Sequence, residues 1–200
     1  MAIKTMRDLL IEEMREMHDA EKQAVRAYPK LARKLQTESL KTAVEEHLEE
    51  TKSQIERLEQ LFEQMESRPR GKRCEAMRGL IEDAQELLDL GLEDEMLEVV
   101  LIPALQKMEH FEIAAYGSAR AHLAALGLDE AVKVVEESLE EEKAMDERLT
   151  RIAAEEVNPR AVEMAAEEKR EEGGEEEERE SVDRAAAGDK PKSSSKPRRK

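Results

Sequence analysis

Four long stretches of the chain carry an apolar residue every three or four positions, and each breaks that seam near its middle with a carboxylate or an imidazole. The first, residues 5–35, reads Leu10, Met14, Met17, Glu21, Ala24, Tyr28, Leu31, Leu35. The second, residues 37–65, reads Leu40, Val44, His47, Thr51, Gln54, Leu58, Leu61, with Glu50 on its flank. The third, residues 92–126, reads Ile102, Leu105, Glu109, Glu112, Tyr116, Ala119, Leu123, Leu126. The fourth, from residue 129 onward, reads Val132, Val135, Leu139, Glu142, Asp146, Leu149, Ala153, with Glu141 as a neighbour. Residues spaced three or four apart share one helix face, which is the pattern of packed bundle helices. Glu, Lys, Leu, Ala, Arg and Met dominate, Trp is absent and aromatics make up 2%, so propensity favours helix throughout. The expected fold class is all-α.

The first two stretches are joined tightly, as are the last two across "LGLD", so each pair forms an antiparallel hairpin. The connection between the hairpins is long and carries a short extra helix over residues 74–90. Two hairpins joined by one long crossover is the ferritin-like four-helix layout. Thr37 or Ser39 is expected to cap the second helix, Asp129 the fourth, and Gly127 to close the third. Pro29 and Pro103 are each expected to kink a helix or mark a boundary. Residues 1–155 form the bundle domain. Residues 156–200, with a glutamate run and a Lys/Arg/Ser/Pro end, lack apolar periodicity and are expected to be a disordered tail with fraying helix at its start.

The chain half-repeats itself. "EKQAVRAY" from Glu21 matches "EHFEIAAY" from Glu109, and "HLEETKSQIERL" from His47 matches "SLEEEKAMDERL" from Ser138. Two related hairpins about a pseudo-twofold axis follow. Such a fold faces Glu21, His47, Glu50, Glu109, Glu112, Glu142 and Asp146 toward one another. An uncompensated buried charge costs several kcal/mol, against a total stability of about 5–15 kcal/mol. Cations remove that conflict, and oxygen donors with an imidazole suit iron or manganese. The expected metal ligands are therefore these seven residues, around two iron ions with manganese as the alternative. No catalytic residue is expected beyond them. Tyr28 and Tyr116 are expected to hydrogen-bond the site carboxylates.

Other groups carry less. His110 lies about 100° round its helix from Glu109, and His18 and His122 are expected at the surface. Cys74, the single cysteine, is expected to pack, and its solitude excludes an intrachain disulfide and fits a reducing cytoplasm. No segment reaches the ~20 apolar residues of a membrane span. The net charge of −16 argues against a nucleic-acid-binding body, leaving only the basic tail end with any such potential.

The segments "LLIEEMREMHDAEKQAV", "HLEETKSQIERLEQLFE", "KRCEAMRGLIEDAQEL", "MEHFEIAAYG" and "LEEEKAMDERLTRIA" resemble the YciE/YciF-type ferritin-like family of bacterial stress-associated proteins. The resemblance covers residues 5–154 and implies a four-helix bundle with an extra short helix, homodimerisation and a di-iron-type centre like that of rubrerythrins. It places the metal-site carboxylates on Glu21, Glu50, Glu109 and Glu142, with His47 beside them and Glu112 and Asp146 as candidates. Pro103 and the long acidic tail depart from the family pattern. The expected function is a di-metal carboxylate protein reacting with peroxide or oxygen in stress protection, an oxidoreductase that would need an external electron donor. The alternatives are iron binding or storage without turnover, and a structural stress protein with a vestigial site.

Overall fold

A computed structural model describes residues 3–167 and residue 170. Five α-helices follow one another: α1 (Met6–Ala32), α2 (Glu38–Gln64), α3 (Glu75–Leu88), α4 (Asp94–Ala125) and α5 (Asp129–Ile152), with no strand among the described residues. The seam residues Leu10, Met14, Met17, Leu31, Leu40, Val44, Leu58, Leu61, Leu105, Leu123, Val135 and Leu149 are buried, so apolar burial draws the helices together as the periodicity requires. Side-chain contacts show the direction of each neighbour. Arg7 at the start of α1 donates to the Met65 carbonyl just past the end of α2 (2.8 Å). Gln106 and Arg120 of α4 reach Asp146 and Glu136 of α5, at 3.0 and 3.1 Å. Across the hairpins, Arg148 pairs with Glu46, and Tyr28 of α1 donates to Glu109 of α4. Each helix thus runs antiparallel to both its neighbours, and α2 and α4 lie parallel on a diagonal. The crossover between them carries α3, which packs on α1 and α4. This is the ferritin-like four-helix bundle.

The helix ends differ in how they are closed. Thr5 and Asp8 form a capping box at α1, each side chain accepting from the other's backbone N–H at 3.1 and 3.0 Å. Gly127, at φ +71°, follows the last turn of α4, and Gly127 and Leu128 donate back to the Ala124 and Leu123 carbonyls. Thr37 stands at the N-cap of α2, but its side chain makes no capping bond there. Instead the fully buried Glu98 of α4 accepts from the Gln36 and Thr37 N–H groups (2.7 Å each) and from the Thr37 hydroxyl (2.6 Å). Asp129 does not cap α5: Leu128 is the N-cap residue and Asp129 is already the first helical residue. Neither proline bounds a helix. α1 continues past Pro29 to Ala32, and α4 begins at Asp94, well before Pro103. The missing N–H at each is tolerated because buried Tyr28 and Leu31, and Ile102 and Ala104, hold the surrounding turns in the core.

α5 runs on into a π-helical stretch, Ala153–Val157, whose Val157 is fully buried. The compact unit therefore reaches Pro159 rather than residue 155. The second unit, Arg160–Lys200, is described over residues 160–167 and 170, which are helical. The rest of the expected disordered tail lies outside the described residues. No helix among them is long and apolar enough to cross a membrane. Replacing Glu98 by alanine strips the N-terminus of α2 of three bonds in a buried setting. It should lower unfolding free energy by about 3 kcal/mol in urea titrations, and an effect within about 0.5 kcal/mol, the level of an ordinary surface substitution, would refute this capping role.

Candidate metal centre

Each long helix contributes to the bundle interior where its apolar seam stops. α1 brings Glu21 between Met17 and Ala24, α2 brings His47, Thr51 and Gln54, α4 brings Glu109 and Glu112, and α5 brings Ser138 and Glu142; all are buried. One donor atom from each of His47, Glu109, Glu112 and Glu142 lies within 4.8 Å of the others. His47 Nε2 stands 3.2 Å from Glu109 Oε2 and 3.3 Å from Glu142 Oε2. Glu21 faces the same interior with its Oε1 held by the Tyr116 hydroxyl at 2.6 Å, and Tyr28 donates to Glu109 Oε1 at 3.2 Å. Gln54 donates to Glu142 Oε1 and, at 2.9 Å, to Glu141 Oε2.

Glu21 Oε2 and both oxygens of Glu112 have no hydrogen-bond partner, and His47 Nε2, Glu109 Oε2 and Glu142 Oε2 meet only one another, in ion pairs without good hydrogen-bond geometry. Buried polar atoms in folded proteins are almost always satisfied. A convergent set of buried carboxylate oxygens around one imidazole nitrogen, with too few partners among themselves, could hold a cation. The donors are carboxylate oxygens and a nitrogen, with no thiolate, a set that fits iron or manganese.

Electrostatics carry the same message. Burial pushes the Glu21 carboxyl well above its ordinary range, and Glu142 adds to the effect. Burial, then Glu21, does the same to Glu112. Burial raises Glu109 to about 8 even though His47 opposes it. Burial works against charge on His47, but Glu109 and Glu142 outweigh it and hold the imidazolium well above the usual histidine range. Burial would also raise Glu142, but its pairing with His47 wins and the carboxyl lies below its ordinary value. Both tyrosine hydroxyls are raised by burial first and by Glu109 or Glu21 next, so they stay protonated and donate.

The remaining sequence candidates lie elsewhere. Glu50 stands outside the four-donor cluster, half-exposed, with its Oε2 3.0 Å from His47 Nδ1. That contact turns Nε2 inward, as a carboxylate behind a metal-binding histidine does. Asp146 receives Gln106 at 3.0 Å and lies 3.6 Å from the exposed His110, while Met145 takes the inward position. A step of three or of four from Glu142 keeps the helical face, and packing against α2 selects three. His18, expected at the surface, is buried: its Nε2 lies 3.0 Å from Glu59 and its ring stands edge-on to Phe62. α1 has a second stripe, through Ile11, Met14 and His18, turned toward α2. His122 is partly buried against Glu13 at 2.7 Å. Cys74 is buried at the N-cap of α3, where its sulfur accepts from the Met77 N–H at 3.3 Å. Sequence reading passed over Gln54 as a partner of the site and Glu98 as a cap. Both were accessible, since Gln54 lies two turns along the seam from His47, and Glu98 extends the α4 seam one turn before Ile102.

The architecture thus defines a ferritin-like bundle with a buried carboxylate–histidine centre. The family described as "Domain of unknown function (DUF892)" matches residues 5–162, and the chain belongs to that family, the YciE/YciF type. Protein YciF of Escherichia coli (strain K12) is 45% identical over 163 residues, covering 80% of this chain and 98% of the relative. The crystal structure described as that of the E. coli stress protein YciF superposes with a TM-score of 0.75 at 43% identity, covering 78% of this chain and 99% of the other. YcfI of Rhodopseudomonas palustris, described as a putative structural protein, gives 0.72 at 37% identity over 74% of this chain and 94% of its own.

The protonation pattern sets a pH dependence for the metal-free protein. Glu21, Glu109 and Glu112 bind protons in the fold that they release on unfolding at neutral pH, so their stabilisation is complete below the ordinary value of 4.5 and is lost as pH rises, through about 8 for Glu109. His47, also raised, acts with the same sign from 6.5 upward. Glu142 acts oppositely, and only as pH falls below 4.5. The urea midpoint of the chelator-treated protein should decline steadily from pH 5 to pH 8; a rising midpoint over that interval would contradict the burial of these groups.

Proposed function

We propose that this centre binds iron or manganese, two ions at most, and reacts with peroxide or oxygen as part of a stress response. The observation that carries the reading is the convergence of buried donor atoms from His47, Glu109, Glu112 and Glu142 within 4.8 Å of one another, with both Glu112 oxygens unpartnered. His47, Glu109, Glu112 and Glu142 would hold the metal, with Glu21 beside them. The metal would supply redox electrons that no side chain of this centre can. Tyr28 and Tyr116 fix one oxygen of Glu109 and of Glu21; the other oxygen of Glu21 has no partner and that of Glu109 meets His47. Glu50 holds the His47 ring, and Gln54 anchors Glu142. The seam residues above and below, among them Met17, Ala24, Leu105 and Tyr116, keep bulk water from the interior.

The stress-protein description of the E. coli relative supports the biological setting. With a single cysteine, itself buried, the described fold offers no Cys-rich iron site, so electrons would come from an external donor. A homodimer in the cytoplasm is part of the same reading, supported by the family resemblance and by the lone, unpaired cysteine. Nucleic acid is not an expected partner of the acidic body.

Anaerobic reconstitution with Fe(II) or Mn(II), desalting and elemental analysis test this directly. Wild-type protein should retain metal and gain stability by about 4 kcal/mol at a thousandfold excess over Kd, while His47→Ala should retain none. Metal-loaded wild type should consume hydrogen peroxide and Glu109→Gln should not. Retained metal with equal peroxide rates in both would leave binding or storage as the function. Absence of retained metal, with a melting temperature indifferent to chelation, would leave a structural role.

A further inference from the structure

The bundle is built from two similar halves, and its contacts repeat with the same offsets. Tyr28 donates to Glu109 and Tyr116 donates to Glu21, at 3.2 and 2.6 Å, an exchange between positions 88 apart (21 to 109, 28 to 116). Arg57 pairs with Glu137 and Arg148 with Glu46, at 3.0 and 2.5 Å, an exchange between positions 91 apart (46 to 137, 57 to 148). Burial follows the same offsets. Leu40, Val44, His47, Thr51, Gln54, Leu58 and Leu61 of α2 correspond to Ala131, Val135, Ser138, Glu142, Met145, Leu149 and Ile152 of α5, and every one is buried.

The metal donors do not follow the symmetry. His47, Glu109, Glu112 and Glu142 correspond to Ser138, Glu21, Ala24 and Thr51. Only Glu21 is a strong ligand in the second set. Ala24 offers no donor at all. The two hydroxyls are already engaged: Thr51 donates to the His47 carbonyl at 2.8 Å, and the Ser138 oxygen accepts from Arg57 Nε at 3.1 Å. The guanidinium so held also places positive charge beside the position where the other half carries its imidazole.

We infer that the centre is a one-ion site: the half formed by His47, Glu109, Glu112 and Glu142 holds a single cation tightly, and the similar half around Glu21 lacks the ligands for a second. The inference rests on the metal-binding reading above and narrows its two-ion limit. Glu112, whose counterpart is alanine, supplies the extra carboxylate that lets one half suffice. Glu21 then acts as a buried carboxylate beside the ion, held by Tyr116, rather than as its ligand.

Anaerobic calorimetric titration of the full chain with Mn(II), backed by elemental analysis after desalting, reads this as stoichiometry. Wild type should bind one ion per chain. His47→Ala should weaken binding by more than about 100-fold, beyond the 10–100-fold that loss of an outer partner costs. Glu21→Gln should still bind one. Ser138→His combined with Thr51→Glu, with folding checked by its melting transition, should bind two. Two ions of like affinity in the wild type, or loss of the ion in Glu21→Gln, would overturn the one-ion assignment while leaving metal binding intact. A folded double variant still limited to one would overturn the identification of Ser138 and Thr51 as the positions that lack those ligands. No binding by the wild type would overturn both this inference and the metal reading beneath it.

Discussion

The bundle depends on how five acidic and imidazole groups coexist where its four long helices meet. Glu21, Glu109, Glu112 and Glu142 surround a single His47, all essentially excluded from solvent. In so dry a place each bare carboxylate is costly, and one imidazolium shared between Glu109 and Glu142 cannot neutralise four of them. Either the carboxyls keep their protons or a multivalent cation replaces them. The first state leaves both Glu112 oxygens without partners; the second uses those same atoms.

The tyrosines explain why the carboxylates are held rather than collapsed together. Each hydroxyl crosses from one hairpin to the glutamate of the other, so α1 and α4 are tied at two points either side of the centre. An outer layer does the same between α2 and α5, where Arg57 and Arg148 bind Glu137 and Glu46 from opposite ends. The exposed outer pairs stabilise modestly. Their value is in register: a slide of one turn between α2 and α5 would break both at once and carry Gln54 away from Glu142.

Much of this was legible because helix periodicity and burial are coupled. A residue such as Glu109, three or four positions from Leu105 and Glu112 and seven from Tyr116, can face only inward if those neighbours do. The same logic exposed the half-repeat, since Tyr28 and Tyr116 sit at equal distance from Glu21 and Glu109. It failed at Asp146 and His18. From Glu142 the chain can continue inward through Met145 or Asp146, and only the position of α2 chooses between them. His18 lies on a stripe that is exposed in an isolated helix and becomes interior once Phe62 and Glu59 pack over it. Asp129 misled for a related reason: capping preference is local, but the turn after Gly127 places Leu128 at the cap position.

The linear order of residues determined the helical class, the two hairpins with their long crossover, and the acidic interior, because each follows from spacing along a single helix or from connection length. The fold alone decided which oxygens converge. Glu50 and Glu142 both lie on helices that line the centre, yet one rests behind His47 at the surface and the other faces it, because inter-helix distance and rotation are set by all the side chains between two helices together. The asymmetry between the His47 half and the Glu21 half was written in the pairing of His47 with Ser138 and of Thr51 with Glu142. It acquired chemical meaning only when packing engaged the two hydroxyls and brought the four donors together.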